Sequence, residues 1–187
     1  MKKGLLYLFL IVSFYVNATH NRAGEILYKR IAPFTATVNG VIVPVYRYYF
    51  QINTYTEINS PGGNADRCKL TLHLGNGDSI VMPRVNGSPA GPSGDCGGTN
   101  NGVDINFNTR YNKYVGEYQF ANAGIYKVYM FDPNRNAGII NIVGGNSVNQ
   151  PFYLESLLVI NNFTGANSAP DFTSPPLDNA CKGVCFF

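Results

Sequence analysis

Apolar and polar residues alternate one for one along several stretches of this chain, and a period of two dictates pleated strands lying over a core. Between Arg67 and Leu74, Cys68, Leu70, Leu72 and Leu74 alternate with Arg67, Lys69, Thr71 and His73. Between Tyr46 and Asn53, Tyr46, Tyr48, Phe50 and Ile52 alternate with Arg47, Tyr49, Gln51 and Asn53. Tyr114, Tyr118 and Phe120 share one parity, with Lys113, Glu117 and Gln119 on the other, and Tyr126, Val128 and Met130 repeat the pattern. Aromatic and β-branched side chains fill these runs, as a pleated surface favours. No stretch has a helical period. Turn residues separate the runs: Gly75-Asn76-Gly77-Asp78 reads as a tight hairpin turn, Asn122-Ala123-Gly124 precedes another strand, and Gly144-Gly145-Asn146 precedes a last one near Phe152 to Ile160. The expected fold is all-β: an immunoglobulin-like antiparallel β-sandwich over about Gly24 to Asn162. Leu70, Leu72, Phe50, Tyr126, Val128 and Leu154 are expected to face inward.

The ends of the chain read differently. Lys2 and Lys3 precede an apolar run from Gly4 to Val16, shorter than the roughly 20 residues that span a bilayer, and Val16-Asn17-Ala18 suits signal cleavage after Ala18. Residues 1–18 are therefore expected to be a signal peptide, leaving an exported, extracellular or cell-surface chain with no membrane span. Residues 19–165 are expected to form the sandwich. Residues 166–187, with Pro170, Pro175 and Pro176, are expected to be a proline-rich linker and the start of a following module, to which Phe186 and Phe187 would belong. Asn86 to Asn106, rich in Gly, Ser, Pro and Asn, reads as a long loop. Loss of Lys2 and Lys3 takes the formal charge from +3 to +1. Such a balance gives no electrostatic argument for nucleic acid or an anionic membrane.

Export makes disulfides the first reading of Cys68, Cys96, Cys181 and Cys185. Three pairings are open; the pairs nearest in sequence are Cys68–Cys96 and Cys181–Cys185. A zinc site would want two Cys-x2-Cys pairs, and the only short spacing is Cys181 to Cys185.

Catalytic chemistry finds no foothold. His20 and His73 are the only histidines, and neither spacing suggests a nucleophile, base and orienting acid. His73 reads as a solvated strand residue. No phosphate-binding or zinc-hydrolase motif occurs, and no cofactor is expected. Asp66, Asp78, Asp95, Asp104 and Asp132 fall in or near turns, where they either stabilise turns or contribute oxygens to a calcium site. Asp132-Pro133-Asn134-Arg135-Asn136 is the most distinctive polar cluster. Asp132, Asn134 and Arg135 are its binding candidates, against a structural role in which Arg135 bridges carbonyls and Asp132. Tyr48, Tyr49, Tyr55, Tyr111 and Tyr114 are candidates for an aromatic sugar platform or for the core. Asp78-Ser79-Ile80 is similar to the short O-glycosylation acceptor motif of Bacteroidetes.

Six segments, in order, carry a family resemblance: Ala18-Thr19-His20-Asn21-Arg22-Ala23-Gly24-Glu25-Ile26, Leu74-Gly75-Asn76-Gly77-Asp78, Gly124-Ile125-Tyr126-Lys127-Val128, Asp132 to Ile139, Asn146 to Glu155, and Pro175 to Cys181. Together the chain resembles the N-terminal region of large Bacteroidetes surface proteins named for a gliding-motility-associated C-terminal domain. The resemblance implies immunoglobulin-like or polycystic-kidney-disease-like (PKD-like) repeats shown at the cell surface. The turn reads Leu-Gly-Asn-Gly-Asp where the latter repeats usually have an aromatic-Gly-Asp-Gly, and the type IX export of the family is not carried over. The expected role is a structural or adhesive, non-enzymatic surface module whose partners are other surface proteins or glycans. The alternative is a glycan-binding module.

Overall fold

The computed structural model describes residues 21–58, 66–87, 102–106, 108–133, 135, 147, 150–161 and 167–170. Ten strands, and no α-helix, occur among them. They are β1 (Asn21–Arg30), β2 (Thr35–Val38), β3 (Val41–Pro44), β4 (Tyr46–Glu57), β5 (Lys69–His73), β6 (Ser79–Pro83), β7 (Val103–Asn106), β8 (Thr109–Phe120), β9 (Gly124–Asp132) and β10 (Phe152–Ile160). Two four-stranded antiparallel sheets, β1-β4-β8-β7 and β10-β9-β5-β6, face each other, and β2-β3 forms a separate two-stranded ribbon. The fold is an all-β sandwich.

The period-two parity supplies the core. Phe50, Ile52 and Tyr48 of β4, Leu70 and Leu72 of β5, Met82 of β6, Tyr114 and Phe120 of β8, Val128 and Met130 of β9, and Leu158 of β10 are buried together, with Leu74 beside them. Tyr126 and Leu154 pack against this cluster while partly exposed. Edge-on ring contacts knit the middle: Tyr48 to Phe120 at 6.0 Å and Phe50 to Phe120 at 6.3 Å between centroids. This is the geometry that ring quadrupoles favour. At the turn between β8 and β9 the Tyr126 hydroxyl donates to the Asn122 carbonyl at 2.9 Å and ties the corner.

Three expectations change. The stretch from Asn86 to Asn106 is not loop throughout, since β7 at its end pairs with β8. Along β4 the alternation stops at Ile52: Asn53, Thr54, Tyr55 and Thr56 are all buried, polar or not. The linker expected from 166 does not start clear of the sandwich. Ser168 bridges Lys29, and the Ala169 amide donates to the Tyr28 carbonyl at 2.8 Å. The free edge of β1 offers unpaired carbonyls, and the chain after β10 satisfies one of them. Residues 1–20 and 171–187, with the expected signal peptide and following module, lie outside the described residues.

Candidate functional site

The strongest polar cluster of the sequence begins at the last residue of β9. Asp132 is only 2% exposed and accepts a two-pronged hydrogen bond from Arg67, Nε to Oδ2 at 2.9 Å and Nη2 to Oδ1 at 3.1 Å. A bidentate guanidinium–carboxylate pair fixes both partners, and a buried carboxylate requires such a partner. The hydrogen bond from Asp132 pushes the Arg67 guanidinium above its ordinary range, against the opposing effect of burial. The fork on Asp132 thus comes from Arg67, where the sequence pointed to Arg135. The Arg135 guanidinium lies over the Phe152 ring at 5.9 Å, and its backbone bridges Asn21 of β1. Asn134 lies outside the described residues. Asp132 thus ties the end of β9 to the chain just before β5, and Arg135 meets β1 through its backbone and β10 through the Phe152 ring.

What Arg67 does present is one wall of a groove. Arg67, Lys69, Thr71 and His73 line it from the β5 side, and Phe131, Asp132 and Pro133 from the β9 side, enclosing about 500 Å³. Outward-pointing residues of adjacent strands meet here by register: His73 is the partner of Tyr129. Their rings stack at 4.7 Å and 13°, and His73 stacks also on Phe131 at 5.8 Å and 11°. Tyr129 continues the row to Tyr153 of β10 at 5.8 Å. His73 is therefore half-buried in an aromatic ladder, not solvated as its sequence context suggested. Phe131 keeps 55% of its surface exposed. Rings flanked by the cations of Arg67 and Lys69 suit stacking on an apolar ligand face with hydrogen bonds at its rim. The sequence signal was present in the shared parity of His73, Tyr129 and Phe131, and was missed because strand pairing is not written in a single sequence.

A second cluster closes the other polar region. Asp66, 2% exposed, accepts from the Thr56 hydroxyl at 2.6 Å, Asn112 Nδ2 at 3.0 Å and the Gly102 amide at 2.9 Å. Arg84 and Arg110 stand 3.8 and 3.6 Å from the same carboxylate, both nearly buried. Asp104 takes the Nε–H of Arg110 and drives that guanidinium further up, with Asp66 adding to the effect. Asp66 and Asp104, expected as turn caps or calcium ligands, thus meet a guanidinium where a cation would sit. Asp78 instead holds the β5–β6 turn, accepting from Asn76 and the Tyr118 hydroxyl. Asp95 lies outside the described residues. Among the described residues, no cluster of three or more His, Cys, Asp or Glu could hold a metal.

The five tyrosines do not form one platform. Tyr48 and Tyr114 are core. Tyr55 and Tyr111, partners across β4 and β8, stack at 5.7 Å, and the Tyr111 hydroxyl donates to Asn53 at 2.9 Å. Tyr49 lies apart, half-buried beside a smaller groove of about 310 Å³ lined by Leu27, Tyr28, Lys29, Gln51 and Ser168 to Pro170.

No family model, curated protein or solved structure matches the chain. The site thus stands on its geometry alone. Cys68, just before β5, is disulfide-bonded, and Cys96, Cys181 and Cys185 lie outside the described residues.

Proposed function

We propose that the chain is an exported, cell-surface β-sandwich module with a structural or adhesive, non-enzymatic role. It is of the kind that the gliding-motility-associated resemblance implies. The observation that carries this reading is where the polar side chains go: Asp66, Asp132, Arg67, Arg84 and Arg110 spend their charges on one another. Charges so paired hold strands together. Two further features support an immunoglobulin-like topology. Numbered as strands A, B, C, C′, D, E, F and G, the sheets β1-β4-β8-β7 and β10-β9-β5-β6 read A-B-E-D and G-F-C-C′. The bond from Tyr126 at the start of β9 to Asn122 resembles the tyrosine corner of that fold. We further infer that Cys68 pairs with Cys96 and Cys181 with Cys185. Protease treatment of intact expressing cells tests export: the chain should be cleaved from outside, and a fully protected intracellular chain overturns the reading. Peptide mapping without reductant tests the pairs, and a Cys68 partner other than Cys96 overturns that assignment.

The groove beside Phe131 favours a second reading, glycan binding. Its stacked rings and flanking Arg67 and Lys69 suit a sugar ring with polar substituents. A glycan array decides: saturable binding that survives high salt and is lost in Phe131→Ala supports it, and an array without binders removes it.

A further inference from the structure

The ribbon β2-β3 belongs to neither sheet. Its turn is Asn39-Gly40, both with positive φ (50° and 80°), the conformation of a two-residue hairpin whose twist matches its strands. The register runs Thr35↔Pro44, Ala36↔Val43, Thr37↔Ile42 and Val38↔Val41. Val38, Val41 and Ile42 are 52%, 62% and 73% exposed. No charged residue occurs from Ile31 to Tyr46. The root, by contrast, is fixed. Arg30 Nη2 donates to the Val45 carbonyl at 2.8 Å, and its guanidinium lies 5.6 and 5.5 Å from the Phe34 and Tyr46 ring centres. The Val45 amide donates to Phe34 at 2.8 Å, and the Ile31 amide to Arg47 at 2.9 Å. A firmly rooted, uncharged, solvent-borne ribbon is what most proteins avoid, because a free strand edge invites pairing.

We propose that β2 is a docking strand for a second copy of this chain, the two β2 edges pairing antiparallel about a two-fold axis. Hydrogen-bonded and non-bonded pairs alternate along an antiparallel ladder. Phe34–Val45 is bonded, so Ala36–Val43 and Val38–Val41 are bonded inside the ribbon. Thr35 and Thr37 therefore aim both N–H and C=O outward. The matching outward positions on β3 are Ile42 and Pro44, and Pro44 has no N–H to offer. β2 is thus the complete edge and β3 the crippled one. One complete edge on the ribbon closes an isologous pair and does not propagate a fibre through the ribbon. The absence of charge lets two copies approach without repulsion. Lipid fits less well, since open strand edges are not tolerated in hydrocarbon. A four-residue strand pair is small, so each contact is weak, and display of many copies on a surface would raise the effective affinity.

Sedimentation of the full chain across a concentration series tests this, alongside hydrogen exchange of the Thr35 and Thr37 amides. The expected result is reversible dimer formation, with protection of those two amides rising with concentration. Thr37→Pro removes an outward N–H that the ribbon does not use, and should weaken association by about tenfold or more, or about 1.4 kcal/mol. Val41→Thr, which leaves the edge intact, should associate like the parent chain. Absence of any concentration dependence overturns the proposal. So does association that survives Thr37→Pro but is lost in Val41→Thr, which would assign the contact to the apolar face. Co-sedimentation of a monomeric chain with phosphatidylcholine vesicles, lost in Ile42→Thr, would assign the ribbon to a membrane surface and likewise overturn it. Should Thr37→Pro unfold the ribbon, the concentration dependence of exchange in the parent chain still decides.

Discussion

The β5–β6 and β2–β3 hairpins both turn on an Asn-Gly pair, and they finish in opposite surroundings. In the first, Leu74 to Asp78 forms the turn, closed by the Leu74 amide on the Asp78 carbonyl at 3.0 Å. Positive φ falls on Gly75 and Gly77, while Asn76 uses its side-chain oxygen to accept from the Asp78 amide. Its strands bury Leu70, Leu72 and Met82 and continue a sheet. In the second, Asn39 and Gly40 make a tighter turn, yet every described side chain from Thr35 to Pro44 except half-buried Val43 is exposed. Turn chemistry makes a hairpin; the pattern on its strands decides whether a sandwich absorbs it. Lys69, Thr71 and His73 alternate with leucines, so one face of β5 must be covered. In the ribbon, Thr35 and Thr37 alternate with Ala36 and Val38, but Val41 to Pro44 are apolar throughout, so one face is wholly apolar and the other mixed.

Alkaline pH should separate the sandwich that holds the first hairpin from the ribbon most strongly. Burial, the largest cause in each case, pushes the phenols of Tyr28, Tyr48, Tyr55, Tyr111 and Tyr114 above the ordinary tyrosine value of about 10. A folded state that holds these protons more tightly than the unfolded chain is fully stabilised by them below about pH 10 and loses that stabilisation as pH rises beyond it. All five lie in β1, β4 and β8, and β2–β3 contains no tyrosine. Phenolate absorbance and the loss of sheet circular dichroism should therefore rise together, above pH 10. Phenols that ionise at their ordinary value while the sheet signal persists would show that the sandwich does not shelter them.

Core truncation comes next. Leu72→Ala should cost about 2–5 kcal/mol, because the methyls it removes are fully enclosed. Ile42→Ala in the free ribbon should change stability by no more than about 0.5 kcal/mol. Urea unfolding of both variants measures the pair. Similar losses would mean that the ribbon packs on something in solution, and the contrast between the hairpins would collapse.

These two cases also mark how far the sequence could be read. The inward set was legible wherever a strand has one wet face: Leu70, Leu72, Phe50 and Val128 are buried as their parity requires. The parity failed past Asn53, since β4 is covered on both faces there, with Asn112 of β8 and Asp66 from the chain before β5 supplying partners. Nothing near Asn53 in sequence announces that. Asn39-Gly40 is as clear a turn signal as Asn76-Gly77, flanked by β-branched residues, and went unread because the apolar run from Val41 to Pro44 after it does not alternate. The candidate groove was less legible still. Lys69 and His73 stand in one run and Phe131 in another, and only the pairing of β5 with β9 joins them. The Asp132 cluster was found, but its guanidinium partner, Arg67, lies 65 residues away.

Glycine substitution probes the turns themselves. A Cβ on Gly75 would meet the Lys127 carbonyl oxygen at 2.6 Å and its amide nitrogen at 2.8 Å, at a φ of 74°. Backbone of β9 cannot step aside without breaking the sheet, so Gly75→Ala should destabilise the whole fold by about 2–4 kcal/mol. Gly40 has a similar φ of 80° but nothing within 4 Å of a Cβ. Gly40→Ala should cost about 1–2 kcal/mol of ribbon stability and leave global unfolding unchanged. Thermal scans read the global term, and exchange of the Val38 and Val41 amides reads the local one. A global loss in Gly40→Ala would couple the ribbon to the sandwich.

The smallest expected effect concerns the tail that follows β10. Asn167 donates to the Val159 carbonyl at 3.2 Å and Ala169 to Tyr28, with Ala169 against the core, while the grip of Arg30 and Arg47 holds the ribbon at the same end of β1. Both are appendages on the sandwich; the tail bonds sheet backbone along its own length, and the ribbon does so only at its root, where the Ile31 amide meets the Arg47 carbonyl. Ending the chain after Pro170 keeps these bonds and should leave the melting temperature unchanged. Ending it after Asn161 removes the two hydrogen bonds just described and a partly buried alanine, and at about 1 kcal/mol per bond should lower stability by about 1–2 kcal/mol. Replacing Asn39-Gly40 by Ala-Ala, which melts the ribbon, should change global stability by less than that, since the ribbon's own bonds face water in either state. If ending the chain after Asn161 costs less than melting the ribbon, the ribbon and not the tail is the part integrated into the sandwich, and the order of the two appendages reverses.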